Sequence, residues 1–466
     1  MDRLTIADRV EFYGARMNLS EIQRLLRDKN IEFIRFEQTD THGISRSKTI
    51  PARHFEYFAN HGVNFLLGQL GFDVQSVVAP GTGYLEELGF PDSHIRPDLD
   101  TFQVLPWADK TARILCEPYY LDGRPALAAP RLIVKKLLSE LEAMGYRLLS
   151  GFEYEFYLVD AATRQPPFPG IQIFATLHNN FNQVLVYDIM RSMAAVGVDI
   201  MTANAEYGPG QMEINFRPAW GVAAADHAFT FKNGVKEIAL RHGMIASFMT
   251  KPRIDQSASG CHYHQSLWGE DKNSFVESAR EDGLSDICRY FLAGQLVHAE
   301  SICALAAPTV NCAKRFKLNS FAPTNASWGM ENRTTGFRVK SARDESAHLE
   351  NRFAGAASNP YLLMAGCLAA GIEGLKNRLA PPLPVTGVAY GRDGVINLPI
   401  RLEDALSALE QDTAMQQALG SEFIKLFLAV KRHEINKAAA AIANYNTPEF
   451  HNCVDDWERQ EYFEFL

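Results

Sequence analysis

Positive charge, paired cysteines and long apolar segments are all scarce in this sequence. The net charge of −9 leaves no basic stripe to displace the counterions of a nucleic acid, so a general nucleic-acid-binding protein is not expected. The seven cysteines are odd in number and scattered, which favours buried thiols over a disulfide framework. The longest apolar run, residues 361–371, is too short and too rich in glycine and alanine to cross a bilayer.

These absences predict a protein of a reducing compartment that makes no contact with membranes. Residues 1–5 show no apolar signal-peptide core, so the expected location is cytoplasmic. With 466 residues, of which 47% are hydrophobic and 22% are charged, the chain has an ordinary globular composition and the length of two or three domains.

The first part of the chain has the spacing of a small mixed α/β unit. Residues 19–30 indicate an amphipathic helix with Ser20 as its N-cap, and strands are expected at 32–37 and 45–50 around a turn at 40–43. Further along the chain, helical spacing predicts helices at residues 132–144, 182–196, 226–241 and 286–306.

The stretch 151–160 is a predicted strand with carboxylates on one face. It alternates with a period of two and is rich in aromatic and branched residues. Three aromatic side chains then share one face, whereas Glu153 and Glu155 share the other. Two carboxylates on one face of an apolar strand are costly unless a cation lies between them.

Three other predicted strands repeat this arrangement of polar groups at alternate positions. The first of them is preceded by Glu206 and a Gly-Pro-Gly turn, in which glycine lets the chain bend beside a ligand. The polar residues of the three strands are Gln211, Glu213 and Asn215; His262, His264 and Ser266; and His348, Glu350 and Arg352.

Together the four strands favour a divalent-cation site next to a phosphate group. Carboxylate oxygens with one imidazole suit Mg²⁺ or Mn²⁺, and no cysteine pairs with the histidines at zinc-site spacing. Fixed guanidinium groups beside such cations are what phosphoryl transfer needs, because charge develops on the non-bridging oxygens. The arginines concerned are Arg315, Arg333, Arg338, Arg343 and Arg352.

Each motif also has an ordinary structural explanation when it is taken singly. A Glu-x-Glu strand is more often an exposed sheet face than a metal site, and Arg and Glu two residues apart usually form a solvated pair. Four such strands with apolar backs and Gly/Pro turns would make an unusual surface, so the joint pattern favours metal-dependent phosphoryl transfer.

Five ordered motifs resemble those of the glutamine synthetase superfamily, in particular its gamma-glutamyl-amine ligase and lengsin-like branch. They are Phe-Glu-Tyr-Glu-Phe, Ala-Glu-Tyr-Gly-Pro-Gly-Gln-Met-Glu-Ile, Ser-Gly-Cys-His-Tyr-His, Asn-Arg-Thr-Thr-Gly-Phe-Arg-Val and Leu-Glu-Asn-Arg-Phe-Ala-Gly. The resemblance implies an α+β fold with a small N-terminal β-grasp domain at 1–118. It implies a large catalytic domain at 119–466, with a curved antiparallel sheet and surrounding helices. It also implies a homo-oligomeric ring, expected as a dodecamer, with active sites between subunits.

By position, the resemblance implies a role for each motif residue. Two cations, Mg²⁺ or Mn²⁺, would be held by Glu155, Glu206 and Glu213 and by Glu153, His262 and Glu350. ATP and the transferred phosphate would be contacted by His264, Ser266, Arg333 and Arg338, and glutamate by Arg315, Arg352 and Ala258. The catalytic residues would be Arg333 and Asp40, which would deprotonate the amine across the subunit interface. In the implied reaction, ATP phosphorylates the γ-carboxylate of glutamate and an amine then displaces the phosphate.

Departures from the family pattern bear on the substrates. Where ammonia-using members carry a glutamate before Ala-Pro, this sequence has Phe321, which removes an ammonium partner and leaves an apolar wall. Ser257 and Ala258 stand where glutamine-forming members usually carry Asn-Gly, which keeps another acid substrate open. Trp328 lies in a motif similar to that of relatives that ligate organic amines, and it is predicted to line the amine pocket with Phe321.

Three functions remain open from the sequence. The first is an ATP-dependent ligase that joins glutamate to an organic amine, which Phe321 favours over ammonia. The second is glutamine formation from ammonia, in which another acid such as Glu331 would replace the missing glutamate. The third is a lengsin-like structural oligomer. Within the family that this sequence resembles, lengsin is regarded as non-catalytic and has lost several metal-ligand positions. This sequence keeps all six of those positions.

Overall fold

The protein is described by a computed structural model that covers residues 17–168, 170, 173–340, 343–392 and 394–466. The expectation about a signal peptide concerns residues 1–5, which lie outside these ranges. Helices and strands are mixed along the chain, and the strands form two separate sheets. The predicted α+β class is therefore confirmed.

The smaller sheet occupies the first part of the chain and contains one parallel pair. Its strands are β1 (Phe33–Thr39), β2 (Ser45–Pro51), β3 (Val63–Leu66), β4 (Asp92–Pro97), β5 (Gln103–Val104) and β6 (Thr111–Tyr119). The order is β2-β1-β6-β4-β3, with β5 also paired to β6. Strands β1 and β6 run parallel and the other pairs are antiparallel. This sheet has its own apolar core, which includes Ile34, Phe36 and Ile114.

The larger sheet carries the predicted site strands next to one another. Its strands are β7 (Arg147–Asp160), β8 (Ile200–Ala205), β9 (Gln211–Phe216), β10 (Ala219–Trp220), β11 (Met244–Ser247), β12 (Cys261–Gly269), β13 (Lys272–Asn273), β14 (Trp328–Met330), β15 (Phe337–Lys340) and β16 (His348–Asn351). The order is β14-β15-β16-β12-β7-β9-β8, and the remaining three strands pair with β7 or β12. The pairs are antiparallel, as expected, except that β14 and β15 run parallel.

Helices surround the larger sheet and fill the end of the chain. They are α1 (Leu19–Asp28), α2 (Phe55–His61), α3 (Pro130–Ala143), α4 (Thr176–Asn179), α5 (Gln183–Ala195), α6 (Ala223–Arg241), α7 (Asp286–Val297), α8 (Ala299–Ala306), α9 (Pro360–Asn377), α10 (Leu402–Gln411), α11 (Thr413–Leu419), α12 (Ser421–Ala441), α13 (Pro448–His451) and α14 (Asp456–Tyr462). Short 3₁₀ turns lie at Ala52–His54, Leu67–Gly71, Glu86–Leu88, Leu99–Thr101 and Cys312–Arg315. In the described part of the chain, no helix has the length and apolar character to cross a bilayer.

Two helix predictions need correction. Asn18, not Ser20, caps α1, because its side chain accepts the Glu21 N–H while the Glu21 carboxylate accepts the Asn18 N–H. The helix predicted at 286–306 is two helices that meet at His298. The His298 imidazole lies 2.6 Å from the Asp412 carboxylate, so the break coincides with a contact to a distant part of the chain.

The alternation predicted for residues 151–160 is confirmed in β7. Phe152, Tyr154 and Phe156 are fully buried, and Tyr154 and Phe156 pack against Phe231 of α6. The opposite face of the strand is therefore free to carry polar groups. The domain boundary at 118/119 stays a prediction, although it falls at the end of β6.

Candidate active site

Four neighbouring strands place the polar residues of separate motifs on one face of the larger sheet. Strand β7 lies between β9 and β12, and β16 pairs with the other edge of β12. The cross-strand pairs are Glu153–His262, Glu155–Glu213 and His264–Glu350. Residues that are up to about 200 positions apart in sequence thus become neighbours.

Two of the cavities beside these strands contain predicted site residues. The larger, of about 520 Å³, is lined by Glu155, Glu206, Glu213, Ala258, His262, Arg315, Phe321, Arg333 and Arg352, together with residues that the sequence did not single out. The smaller, of about 350 Å³, is lined by Glu153, His264 and Ser266 among others. The structure therefore gathers most of the predicted site residues, with Glu153 and Glu155 of one strand serving different cavities.

Like charges dominate the first carboxylate group. Burial raises the pKa of Glu213 to about 9, and the charges of Glu153, Glu155 and Glu206 contribute to the rise. Burial, followed by the charge of Glu155, also raises the pKa of Glu206 to about 7. Carboxyl groups in such surroundings take up either protons or a cation near neutral pH.

Imidazole groups balance the second set of carboxylates. His262 Nδ1 lies 2.8 Å from Glu153 Oε1 and 3.7 Å from Glu350 Oε1, and His264 Nε2 lies 3.4 Å from Glu153 Oε2. Burial opposes ionisation of Glu153, but hydrogen bonds from both imidazoles hold its pKa below the usual range. Burial likewise opposes ionisation of Glu350, but Arg352 and the two histidines outweigh it and lower its pKa to about 2.

The donor chemistry of these groups fits a hard divalent cation. Among the described residues, no three His, Cys, Asp or Glu side chains are arranged so that they could hold a metal ion. The imidazoles and carboxylates of the second set contact one another directly instead. The donors are carboxylate oxygens and imidazole nitrogens without thiolate, and burial followed by the charges of neighbouring carboxylates raises the pKa values of Glu206 and Glu213. Such a set suits Mg²⁺ or Mn²⁺, and the six metal-ligand assignments stay predictions.

Two buried arginines form the floor of the larger cavity. The Arg315 guanidinium donates to the Arg352 carbonyl oxygen at 2.8 Å. Arg352 in turn bonds the Glu350 carboxylate and donates to the Phe321 carbonyl oxygen at 3.1 Å. Burial lowers the pKa of Arg315 to about 10, so its side chain stays charged at neutral pH. The Arg352 Nε atom has no hydrogen-bond partner in the described part of the chain, which leaves one buried donor unsatisfied beside the cavity.

The other arginines of the predicted group differ in whether they line the larger cavity. Arg333 is exposed and lines the larger cavity. Arg338 donates to Glu350 at 3.2 Å and to Glu331 at 2.5 Å. Arg343 bonds a backbone carbonyl at Glu281 instead. Glu331 pairs with Arg338 and does not line the larger cavity. The structure therefore does not support Glu331 as a substitute for the missing glutamate.

Aromatic side chains form an apolar wall of the larger cavity. Phe321 is 52% exposed, and its ring stacks on Tyr207 with centroids 6.1 Å apart and an angle of 17° between the planes. Phe174 lines the same cavity. Sequence analysis missed Tyr207 and Phe174. Only the position of Tyr207 directly after Glu206 could have indicated it.

Trp328 and Asp40 are predicted site residues that line neither cavity and make their contacts elsewhere. Trp328 is buried, and its indole N–H donates to the Pro382 carbonyl at 2.7 Å, which corrects the prediction that it lines the amine pocket. Asp40 is fully buried in the turn between β1 and β2. Its carboxylate accepts the backbone N–H groups of His42 and Ile44 and pairs with Arg46. These contacts explain Asp40 as a turn residue, and its role across an interface stays a prediction.

Comparison with known proteins agrees with this arrangement. Residues 127–450 match the family model described as glutamine synthetase, catalytic domain. The chain belongs to the glutamine synthetase family. It is 36% identical to human lengsin over 91% of this chain and 84% of that protein. It is 31% identical to a glutamate–isopropylamine ligase from a Pseudomonas species, over 93% of this chain and 98% of the relative.

Family members with known structures share the fold. The complex named GmaS/ADP has a TM-score of 0.81 at 28% identity and covers 95% of this chain and 99% of its own. A novel glutamine synthase homologue has a TM-score of 0.79 at 27% identity, over 88% and 96%. The glutamine synthetase of Thermotoga maritima is 31% identical over 96% of this chain and 99% of its own. These matches confirm the predicted family and its catalytic-domain fold, and they establish a glutamine synthetase-family ligase as the class of protein.

Proposed function

We propose that the protein is an ATP-dependent ligase that joins glutamate to an organic amine. The observation that carries the proposal is the stacked pair of Phe321 and Tyr207 in the cavity that also contains the carboxylates and arginines. An aromatic wall favours an apolar substrate group and offers no partner to ammonium other than weak contact with the ring faces. Similarity to a glutamate–isopropylamine ligase supports the same reaction class.

The first chemical step is the phosphorylation of glutamate. A γ-carboxylate oxygen attacks the γ-phosphorus of ATP, the bond to the bridging oxygen breaks, and ADP leaves. Arg315 and Arg352 would hold the glutamate carboxylates, and Arg333 would lie at the transferred phosphate. The two predicted ligand sets, Glu155, Glu206 and Glu213 and Glu153, His262 and Glu350, would hold Mg²⁺ or Mn²⁺, which supply positive charge to the phosphate oxygens when bound.

The second step forms the amide bond. The amine nitrogen attacks the carbonyl carbon of γ-glutamyl phosphate, the bond to the phosphate oxygen breaks, and the nitrogen loses a proton. Phe321 and Tyr207 would exclude water from this intermediate and contact the substituent of the amine. The proposal also includes three expectations from the family. They are Asp40 as the proton acceptor, assembly into a dodecameric ring, and a cytoplasmic location.

The test is phosphate release from ATP with Mg²⁺ and glutamate, with no amine, with ammonia, or with a panel of alkyl, aromatic and polyamines. We expect strong stimulation by at least one organic amine and weak stimulation by ammonia. Strong stimulation by ammonia alone would instead identify a glutamine-forming enzyme.

A lengsin-like structural oligomer is the second candidate, and the 36% identity to human lengsin favours it. Against it, the paired carboxylates, imidazoles and arginines are assembled around the cavities at a cost in desolvation that a structural protein does not need. An assembled protein with no phosphate release under any condition would support the structural candidate.

A further inference from the structure

We propose that the amine substrate is a monoamine with an aromatic or branched apolar substituent, and that Tyr207 selects it together with Phe321. The inference rests on the proposed ligase function and adds a substrate class and a specificity-determining residue. The family resemblance implied no role for Tyr207. Tyr207, and not Trp328, lines the cavity together with Phe321.

The two rings present a continuous apolar surface to the cavity. Tyr207 is 43% exposed, and its ring stacks on Phe321 in a nearly parallel arrangement. Phe174 and Ile173 continue the same wall. Exposed aromatic rings that line a concave site contribute binding free energy when an apolar ligand group covers them.

Backbone contacts hold both residues beside the cavity, and the two rings contact each other. Phe321 has a φ of +58°, which is unfavourable for a residue with a side chain. The hydrogen bond from Arg352 to the Phe321 carbonyl holds this conformation. The Tyr207 backbone N–H donates to the Glu206 carboxylate at 3.3 Å, so the backbone of Tyr207 contacts a carboxylate that lines the same cavity. A rigid wall loses little conformational entropy when a ligand binds.

With the predicted cation ligands set aside because they would hold the cations, the remaining charges that line the cavity disfavour a second ammonium group. Lys251, Lys314 and Lys317 all line it. Lys314 is paired with Glu458, whereas the Lys317 ammonium has no carboxylate partner in the ranges that the structure describes. Among the described residues that line the cavity, Asp255 is the acidic residue that is not a predicted cation ligand. A diamine or polyamine would therefore bring its second charge towards lysines, which is unfavourable.

The test compares phenethylamine, methylamine and putrescine in the phosphate-release assay, with KM and kcat determined for each. Wild-type protein should have its lowest KM for phenethylamine. Tyr207→Ala should raise that KM about tenfold, because an aromatic contact and its buried area are lost, with the KM for methylamine and glutamate nearly unchanged. Tyr207→Phe should retain the wild-type preference, and Lys317→Gln should lower the KM for putrescine.

Tyr57→Ala is the matched control, because Tyr57 is an exposed, ring-stacked tyrosine in α2 outside both cavities. The inference would be wrong if the KM for phenethylamine were unchanged in Tyr207→Ala, or if the wild-type protein preferred putrescine. In either case, amine-stimulated phosphate release would still support the proposed ligase function. Wild-type protein without any amine-stimulated phosphate release would overturn the proposed function and the inference together.

Discussion

At the scale of single residues, alternation within strands forms the polar face of the site, and contacts between distant segments form its apolar wall. The two-residue period of β7 and β9 places Glu153, Glu155 and Glu213 on the polar face whatever the rest of the chain does. The position of Trp328 depends on a carbonyl more than 50 residues away at Pro382, so local spacing gave no information about it. The motif resemblance identified Phe321, but the packing of Tyr207 against it required the structure.

Removal of one like charge should change how the stability of the metal-free protein depends on pH. The raised pKa values of Glu213 and Glu206 mean that the folded state binds protons which the unfolded state releases above about pH 4.5. Stability should therefore be greatest at low pH within this window and fall as pH rises through about 7 and then 9. The slope can reach about 1.4 kcal/mol per pH unit for each titrating group. Glu213→Gln should flatten this fall in denaturant titrations of the free energy of unfolding.

The same groups should make metal binding depend on pH in the opposite sense. Mg²⁺ or Mn²⁺ must replace protons at Glu206 and Glu213, so the rise in melting temperature on adding the cation should be larger at pH 9 than at pH 6. Wild-type protein in which the cation stabilises equally at both pH values would contradict the predicted role of these carboxylates.

An acid at the aromatic wall should change the preferred nucleophile. Phe321→Glu supplies an ammonium partner and removes half of the stacked pair, so kcat/KM for ammonia relative to phenethylamine should rise by at least about tenfold. Phe321→Leu, which stays apolar, is the control and should keep ammonia a poor substrate. A ratio that does not change in Phe321→Glu would indicate that the amine binds elsewhere.

At the scale of elements, most helices and strands follow from periodicity, whereas the way they pack does not. The strand Gln211–Phe216 has the bounds that its alternation predicted, and α5 and α6 lie close to their expected ranges. Nothing local explains glycine inside α7, where it lowers helix propensity. The reason is the close approach of α9, because a Cβ on Gly294 would lie 2.0 Å from the Ala370 carbonyl oxygen.

Gly294→Ala should therefore destabilise the protein despite its better helix propensity. The added methyl group must push α7 away from α9, at a cost of about 1–3 kcal/mol. Thermal or urea unfolding monitored by circular dichroism would measure it. Gly170→Ala is the control, since its Cβ would meet open space, and a change within about 0.5 kcal/mol is expected there. An equally small change at Gly294 would show that the helices separate without cost.

At the scale of the whole molecule, a buried ionic group joins the turn after β1 of the smaller sheet to helix α12. His42, in the turn after β1, lies against Lys431 and Glu434 of α12, with Lys431 Nζ 3.0 Å from His42 Nδ1 and 3.2 Å from the Glu434 carboxylate. All three side chains are buried. The Asn359 side chain also donates to the Asp40 carbonyl at 2.8 Å, which holds the same turn against the start of α9. The turn at residues 40–43 was predictable from local sequence, whereas its contacts with α9 and α12 involve residues more than 300 positions away.

Lys431→Met should be strongly destabilising, because it leaves Glu434 buried without its cationic partner. The expected loss is about 3–5 kcal/mol in the free energy of unfolding. The double variant with Glu434→Leu should recover part of it, since no unpaired charge then remains. Lys425→Met, on the exposed face of the same helix, is the matched control. A double variant no more stable than Lys431→Met would contradict this account of the buried pair.

We expect the cavity lined by Phe321 and Tyr207 to give this glutamine synthetase-family ligase a preference for an organic amine over ammonia. The most direct measurement is a competition in which the protein receives ATP, Mg²⁺, glutamate and equal concentrations of ammonia and phenethylamine, with products quantified by mass spectrometry. The account predicts γ-glutamyl-phenethylamide as the main product and little glutamine. Glutamine as the main product would contradict it.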